Sequence, residues 1–306
     1  MKIDVIIPVF YPKQRFLDLI GMLEKQSLPV NRIILMNTEK KGFAALCDEE
    51  TFLQKHPQVR LFHLSQDSFD HGATRNAGVS ESDADIFVCM TQDALPADEN
   101  LIQALTDAVM QPGAAAAYAR QLAEADCNPV EGYTRRFNYG TEPVLKGKED
   151  IPRLGIKTFF CSNVCAAYRR EVFDTLGGFV NHTIFNEDMI YASKAVNHGW
   201  KIAYAPDAQV VHSHNYTAWQ QFTRNFDLGV SHAQFPEVFA AVPAEGEGMR
   251  LVADTAKYLL RHHPLLLWRL FVHSAAKLIG YRLGKMYEKL PAKMVRVCSM
   301  QKHYWK

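Results

Sequence analysis

The 306-residue chain has no apolar run of the roughly 18–20 residues that a bilayer-crossing helix requires. Its start, Met1-Lys2-Ile3-Asp4-Val5-Ile6-Ile7-Pro8, lacks the longer apolar stretch and cleavage site of a signal peptide, and reads as a buried strand. Cysteine is sparse: Cys47, Cys89, Cys127, Cys161, Cys165 and Cys298 form no Cys-x-x-Cys pair. That argues against a secreted disulfide framework and for a reducing, cytoplasmic setting. Internal repeats and low-complexity tracts are absent. What is left is ordinary globular composition, 48% hydrophobic and 22% charged, enough for one large α/β domain plus an appendage.

Net charge is also low, at +1, but it is segregated. Residues 250–306 carry twelve Lys or Arg against two acids, Asp254 and Glu288, hence +10; the remainder carries 22 against 31, hence −9. Such a division implies a separate partner for the tail, an anionic surface first. There Leu259, Leu260, Leu266, Leu267, Leu270, Phe271, Leu278, Ile279 and Leu283 recur near helical spacing, interleaved with Lys257, Arg261, Arg269, Lys277, Arg282 and Lys285. Basic amphipathic helices of this kind lie on anionic membrane surfaces. The alternative is that the apolar side docks on the preceding domain, or on a second copy of the chain as a homodimer. Nucleic acid is not expected as a partner, because too much aliphatic surface separates the basic residues.

Along the first 120 residues, buried-strand patterns at 3–9, 32–36, 59–64 and 85–90 alternate with helical patterns at 12–26, 42–55, 73–80 and 97–110, and a fifth strand follows at 114–120. This alternation predicts a parallel sheet covered on both faces, with ligands beyond the carboxyl ends of its strands. Residues 121–158 are polar and less regular, which reads as a loop over the site or a structural excursion. Residues 236–248 read as a linker.

Four clusters carry chemistry. Thr91-Gln92-Asp93 follows the fourth strand, where a carboxylate can hold a divalent ion or simply cap a turn. Phe69-Asp70-His71-Gly72-Ala73-Thr74-Arg75-Asn76 offers a glycine for close approach, the Arg75 fork for phosphate and the Asn76 amide. Asn186-Glu187-Asp188-Met189 opens a helical stretch; its acids serve either the helix dipole or general-base catalysis. In His212-Ser213-His214, an extended segment puts both imidazoles on one side, able to ligate a metal. No further Cys or His spacing supports a closed zinc site.

With Phe-Asp-His-Gly-Ala-Thr-Arg-Asn, Thr-Gln-Asp-Ala-Leu-Pro, Asn-Glu-Asp-Met and His-Ser-His-Asn-Tyr-Thr in this order, residues 1–235 resemble the family 2 glycosyltransferases, and in particular bacterial rhamnosyltransferases. The resemblance implies an α/β GT-A (Rossmann-like) catalytic domain over 1–235, with a donor half to about 120 and an acceptor half beyond, followed by the linker and a basic amphipathic helical tail over 249–306. It implies an inverting, metal-dependent transferase using Mg²⁺ or Mn²⁺. Asp93 matches the last acid of the family's metal motif, whose first position is Thr91 here, a departure. His212 and His214 fall where the family binds metal or phosphate. Asp188 matches the catalytic base, with Glu187 beside it. Pro8, Asn37, Arg75, Asn76, Gln92 and Asp93 are the donor-side candidates, and Asn163 and Asn186 the acceptor-side ones. The donor implied is dTDP-L-rhamnose and the acceptor a saccharide, lipid-linked, in bacterial surface-polysaccharide (O-antigen) synthesis. The expected location is the inner face of the cell membrane, as a peripheral protein. A UDP-hexose or UDP-N-acetylhexosamine donor is the first alternative, and a degenerate nucleotide- or glycan-binding module, motivated by Thr91, the second.

Overall fold

The computed structural model describes residues 1–240 and 245–305. Among the described residues there is one mixed sheet of nine strands: β1 (Ile3–Phe10), β2 (Arg32–Thr38), β3 (Val59–Leu64), β4 (Ile86–Met90), β5 (Leu95–Pro96), β6 (Ala114–Leu122), β7 (Val144–Lys146), β8 (Cys165–Arg169) and β9 (Lys201–Val211). The order is β3-β2-β1-β4-β8-β6-β9-β5, with β7 also pairing to β9.

The central strands are apolar on both faces, and period-two alternation sends their side chains into two separate cores. Val5, Ile7, Ile33, Leu35 and Val88 pack on one side with Phe16, Leu19, Ile20 and Leu23 of the helix Gln14–Leu23. Ile6, Ile34, Phe87 and Cys89 pack on the other, against Phe173, Phe179 and Tyr191.

The parallel sheet expected over the first 120 residues holds for β3-β2-β1-β4, and β6 runs in the same direction. Beyond that range β8 enters between β4 and β6 antiparallel to both, and β6 pairs in parallel with β9; the short β5 and β7 are antiparallel to β9. A strand buried on both faces has the same apolar pattern in either direction, so sequence did not reveal the reversal. The helix expected over 42–55 is two, Lys40–Ala44 and Glu49–Lys55, because Asp48 caps the second by accepting from the Thr51 N–H. The region 121–158 is more regular than a loop. It contains the helix Pro129–Asn138, which starts at the Asn128 cap with proline in its first turn. Within 236–248, Pro236–Phe239 is a short helix with Val238 and Phe239 buried, residues 241–244 lie outside the described residues, and helix resumes at Glu245–His262.

The tail folds back on the domain. Helix Leu267–Lys285 lies against Ala218–Gln234 at a glycine contact: a Cβ on Gly280 would sit 2.2 Å from the Phe222 carbonyl oxygen, and one on Gly284 2.0 Å from that of Phe226. Among the described residues, no helix is long and apolar enough to cross a membrane.

Candidate active site

A cavity of about 210 Å³ opens beyond the carboxyl ends of β1 and β4. Pro8, Val9 and Phe10 line it from β1, Phe69, His71 and Arg75 from the segment after β3, and Thr91, Gln92 and Asp93 from the segment after β4. Gln92 holds the end of β1 in place: its Oε1 accepts from the Phe10 N–H at 2.9 Å and its Nε2 donates to the Phe10 carbonyl at 3.0 Å. Two buried polar atoms on the wall, Thr91 Oγ1 and Arg75 Nε, have no hydrogen-bond partner among the described residues. Both residues line the cavity, where the polar groups of a bound molecule can complete the pairing.

Asp93 meets both histidines. Its Oδ1 is 3.7 Å from His212 Nε2 and its Oδ2 3.4 Å from His214 Nε2, and the three ligating atoms lie within 4.8 Å of one another. Arg15, not singled out by sequence, brings them together by donating to the carbonyls of Asp93 and Val211, both at 3.1 Å. Gln121 Oε1 accepts from Arg135 and lies 3.1 Å from His212 Nδ1. An amide oxygen facing Nδ1 selects the tautomer protonated there, leaving the Nε2 lone pair toward Asp93. Burial pushes His212 down to about 3, against the pull of Asp93, and lowers His214 as well. Two neutral imidazoles and a carboxylate are a donor set that fits a divalent cation.

The second group sits at the start of helix Glu187–Asn197. Glu187, 5% exposed, pairs with Arg75 at 3.1 Å and accepts from the Asn163 amide at 3.0 Å. Asp188 is less buried; its Oδ2 accepts from the Asn163 N–H and its Oδ1 from the Met189 N–H, both at 2.8 Å. Burial, then the Glu187 charge, raises Asp188 to about 7, while those two N–H groups oppose the rise. Glu187 is lowered despite its own burial, because Arg75, His71 and the Asn163 amide favour its charged form. The pair is therefore split, one acid fixed as an anion and one poised to exchange a proton near neutrality.

Several donor- and acceptor-side candidates have other partners. Asn76 donates to the Phe179 carbonyl and Asn181 Oδ1, tying its helix to the turn at Gly177-Gly178. Asn186, in a left-handed conformation (φ 68°), donates to Ser231. Asn163 is buried beneath the acid pair and accepts from the Tyr168 hydroxyl at 2.7 Å. Asn37 faces His63 Nδ1 at 2.9 Å and lines neither cavity, whereas the adjacent Thr38 lines a second one. Consecutive strand residues face opposite sides, which separates these two. Asp70 caps the helix His71–Ser80 through the Gly72 and Ala73 N–H groups and accepts from the Thr183 N–H.

A cavity beyond the carboxyl strand ends, beside an acid pair with divided proton affinities, is the arrangement expected of a group-transfer enzyme of the GT-A type. The Glycosyl transferase family 2 model matches residues 4–177, and the chain belongs to that family. The chain is 39% identical over 310 residues to the O-antigen chain rhamnosyltransferase RfbN of Salmonella typhimurium, covering 100% of this chain and 96% of that protein. It is 44% identical over 246 residues to the O-antigen chain rhamnosyltransferase WbaN of Salmonella anatum, covering 79% of this chain and 78% of that one. Among solved structures, a Pyrobaculum calidifontis mannosyltransferase in complex with GDP-Man and Mn²⁺ superposes with a TM-score of 0.58 at 17% identity, covering 99% of this chain and 84% of that one. TarS 1–349 of S. aureus, in complex with UDP-GlcNAc, gives 0.51 at 12% identity, covering 94% and 92%. These two likenesses support the fold.

Proposed function

We propose that the chain is an inverting rhamnosyltransferase that moves L-rhamnose from dTDP-L-rhamnose onto a saccharide acceptor in O-antigen synthesis. The observation that carries the sugar is the 39% identity to an O-antigen chain rhamnosyltransferase across the whole of this chain. The site chemistry supports the reaction. Asp188, ionised, takes the proton of the acceptor hydroxyl as that oxygen attacks the anomeric carbon and the nucleoside diphosphate departs. Glu187 stays paired with Arg75 and keeps the acid-bearing helix in register. Asp93, His212 and His214 would hold Mg²⁺ or Mn²⁺, and the nitrogen-rich donor set favours Mn²⁺ of the two. When bound, that ion supplies positive charge to the leaving diphosphate.

In this reading the acceptor is lipid-linked and the tail rests on an anionic leaflet. Leu260, Leu265, Trp268 and Phe271 are 61–86% exposed, and exposed Arg261 and half-exposed Arg269 stand among them. The glycine-packed face docks on the domain while this one is open, so the two expectations for the tail are compatible.

The test is a donor screen: dTDP-L-rhamnose, UDP-glucose, UDP-galactose and UDP-N-acetylglucosamine, each with Mn²⁺, scored by nucleoside diphosphate release. Release from dTDP-L-rhamnose alone is expected. A UDP-sugar preference would overturn the rhamnose assignment, and no turnover with any sugar would favour a degenerate module.

A further inference from the structure

A second cavity, of about 400 Å³, adjoins the first and shares Phe10 and Phe69 with it. Thr38, at the carboxyl end of β2, and Gln66 line it from the sheet side. Met300, Gln301, Lys302 and His303 line it from the other end of the chain, well beyond the residues 4–177 that match the family.

That segment is held in place by specific bonds. Asp227, 1% exposed, accepts with Oδ2 from the Met300 N–H at 2.9 Å and the Gln301 N–H at 3.0 Å. Gln301 Nε2 lies 3.4 Å from His71 Nε2, at the border between the two cavities. The His303 ring meets Phe69 edge to face at 5.6 Å. Tyr304 donates to the His182 carbonyl at 3.2 Å.

Two features of the cavity point to a ligand. Thr38 is 2% exposed, and its hydroxyl has no hydrogen-bond partner among the described residues. A buried hydroxyl without a partner costs stability unless something binds it. Phe10, at the end of an otherwise buried strand, is 44% exposed, an aromatic surface that packing leaves open. The smaller cavity contains Asp93 and so suits the phosphate end of a donor. The larger one has the volume, the aromatic face and the hydrogen-bonding group that a base and pentose need.

We propose that Met300–His303 is the outer wall of the donor's nucleoside subsite, with Lys302 contributing charge to the bound nucleotide. This rests on the reading that the donor is a nucleoside diphosphate sugar. The subsite is thus assembled from both ends of the fold, and docking of the tail helices is a condition for tight donor binding. Lys302 and Thr38 act on affinity and nucleotide choice, and the chemical step is left to Asp188.

The experiment uses the full chain and titrates dTDP, UDP and GDP by calorimetry, followed by donor kinetics. Lys302→Ala and Thr38→Val are each expected to weaken the preferred nucleotide and raise its donor KM about five- to tenfold, with kcat within about twofold. Thr38→Val should not lower the melting temperature, since it removes an unpartnered hydroxyl; a merely structural Thr38 would give the reverse pattern. Wild-type affinity and KM in both variants would overturn the proposal while leaving the donor reading intact. Failure of the wild-type chain to bind any of the three nucleotides would overturn the donor reading itself, and this proposal with it.

Discussion

Arg75 and Glu187 form a buried ion pair, Nη1 to Oε1 at 3.1 Å with both side chains 6% exposed, joining the helix after β3 to the helix that carries Asp188. Removing one partner strands the other charge away from water. Arg75→Met is therefore expected to cost about 3–5 kcal/mol of folding stability. Urea unfolding of the two proteins measures this, and a loss below about 1 kcal/mol would show that the pair is solvated.

As the proposed base, Asp188 has to be ionised to accept a proton, and its value is raised to about 7. The kcat/KM profile should therefore fall as pH drops through about 7. Glu187 contributes to that rise, so Glu187→Gln should move the acid limb to lower pH. An unmoved limb would remove Glu187 as a cause. Asp188→Asn should lower turnover about 10²–10⁴-fold.

The same residue predicts a stability effect of opposite sign. An acid whose folded value is raised opposes folding once pH exceeds its unfolded value, and the penalty is complete above the folded value. At pH 8 the Asp188→Asn protein should melt no lower than wild type, because the amide oxygen still accepts one N–H without the buried charge. A clear drop in melting temperature would show that the two N–H bonds outweigh that charge.

At the Asp93 cluster, EDTA should abolish transfer and Mn²⁺ should restore it. Asp93→Asn should nearly eliminate the response. Gln121→Leu, which removes the acceptor facing His212 Nδ1, should raise the Mn²⁺ concentration for half-activity about 10–100-fold. Full activity in EDTA would remove the metal from the reaction.

Gly284→Val places side-chain carbons where the Phe226 carbonyl stands, so helix Leu267–Lys285 must lift from its neighbour. The expected cost is about 1–3 kcal/mol, with faster proteolysis of the tail. By contrast, Trp268→Ser with Phe271→Ser should leave folding intact and reduce sedimentation with anionic liposomes. Equal sedimentation of that variant and the wild type would locate membrane contact elsewhere, and loss of a dimer in the same variant would make this face a subunit interface.

Sequence alone determined the strands β1 to β4, since apolar runs of five to eight residues bounded by polar turns admit few other folds, and it directed the search for a site to their carboxyl ends. It also marked Asp93, Asp188 and the two histidines, whose chemistry is local to short motifs. What it could not decide depends on contacts between residues far apart in the chain. The direction of β8 leaves no trace in a pattern buried on both faces. Arg75 reads as a phosphate fork in its own segment, and only the approach of a helix more than a hundred residues later makes it the partner of Glu187. The difference in proton affinity between Glu187 and Asp188 is tertiary for the same reason: two adjacent carboxylates are equivalent until burial, Arg75 and the Asn163 N–H treat them differently. Gly280 and Gly284 show the same limit, for a glycine in a helical pattern reads as a local weakness until a neighbouring backbone occupies the space its missing side chain leaves.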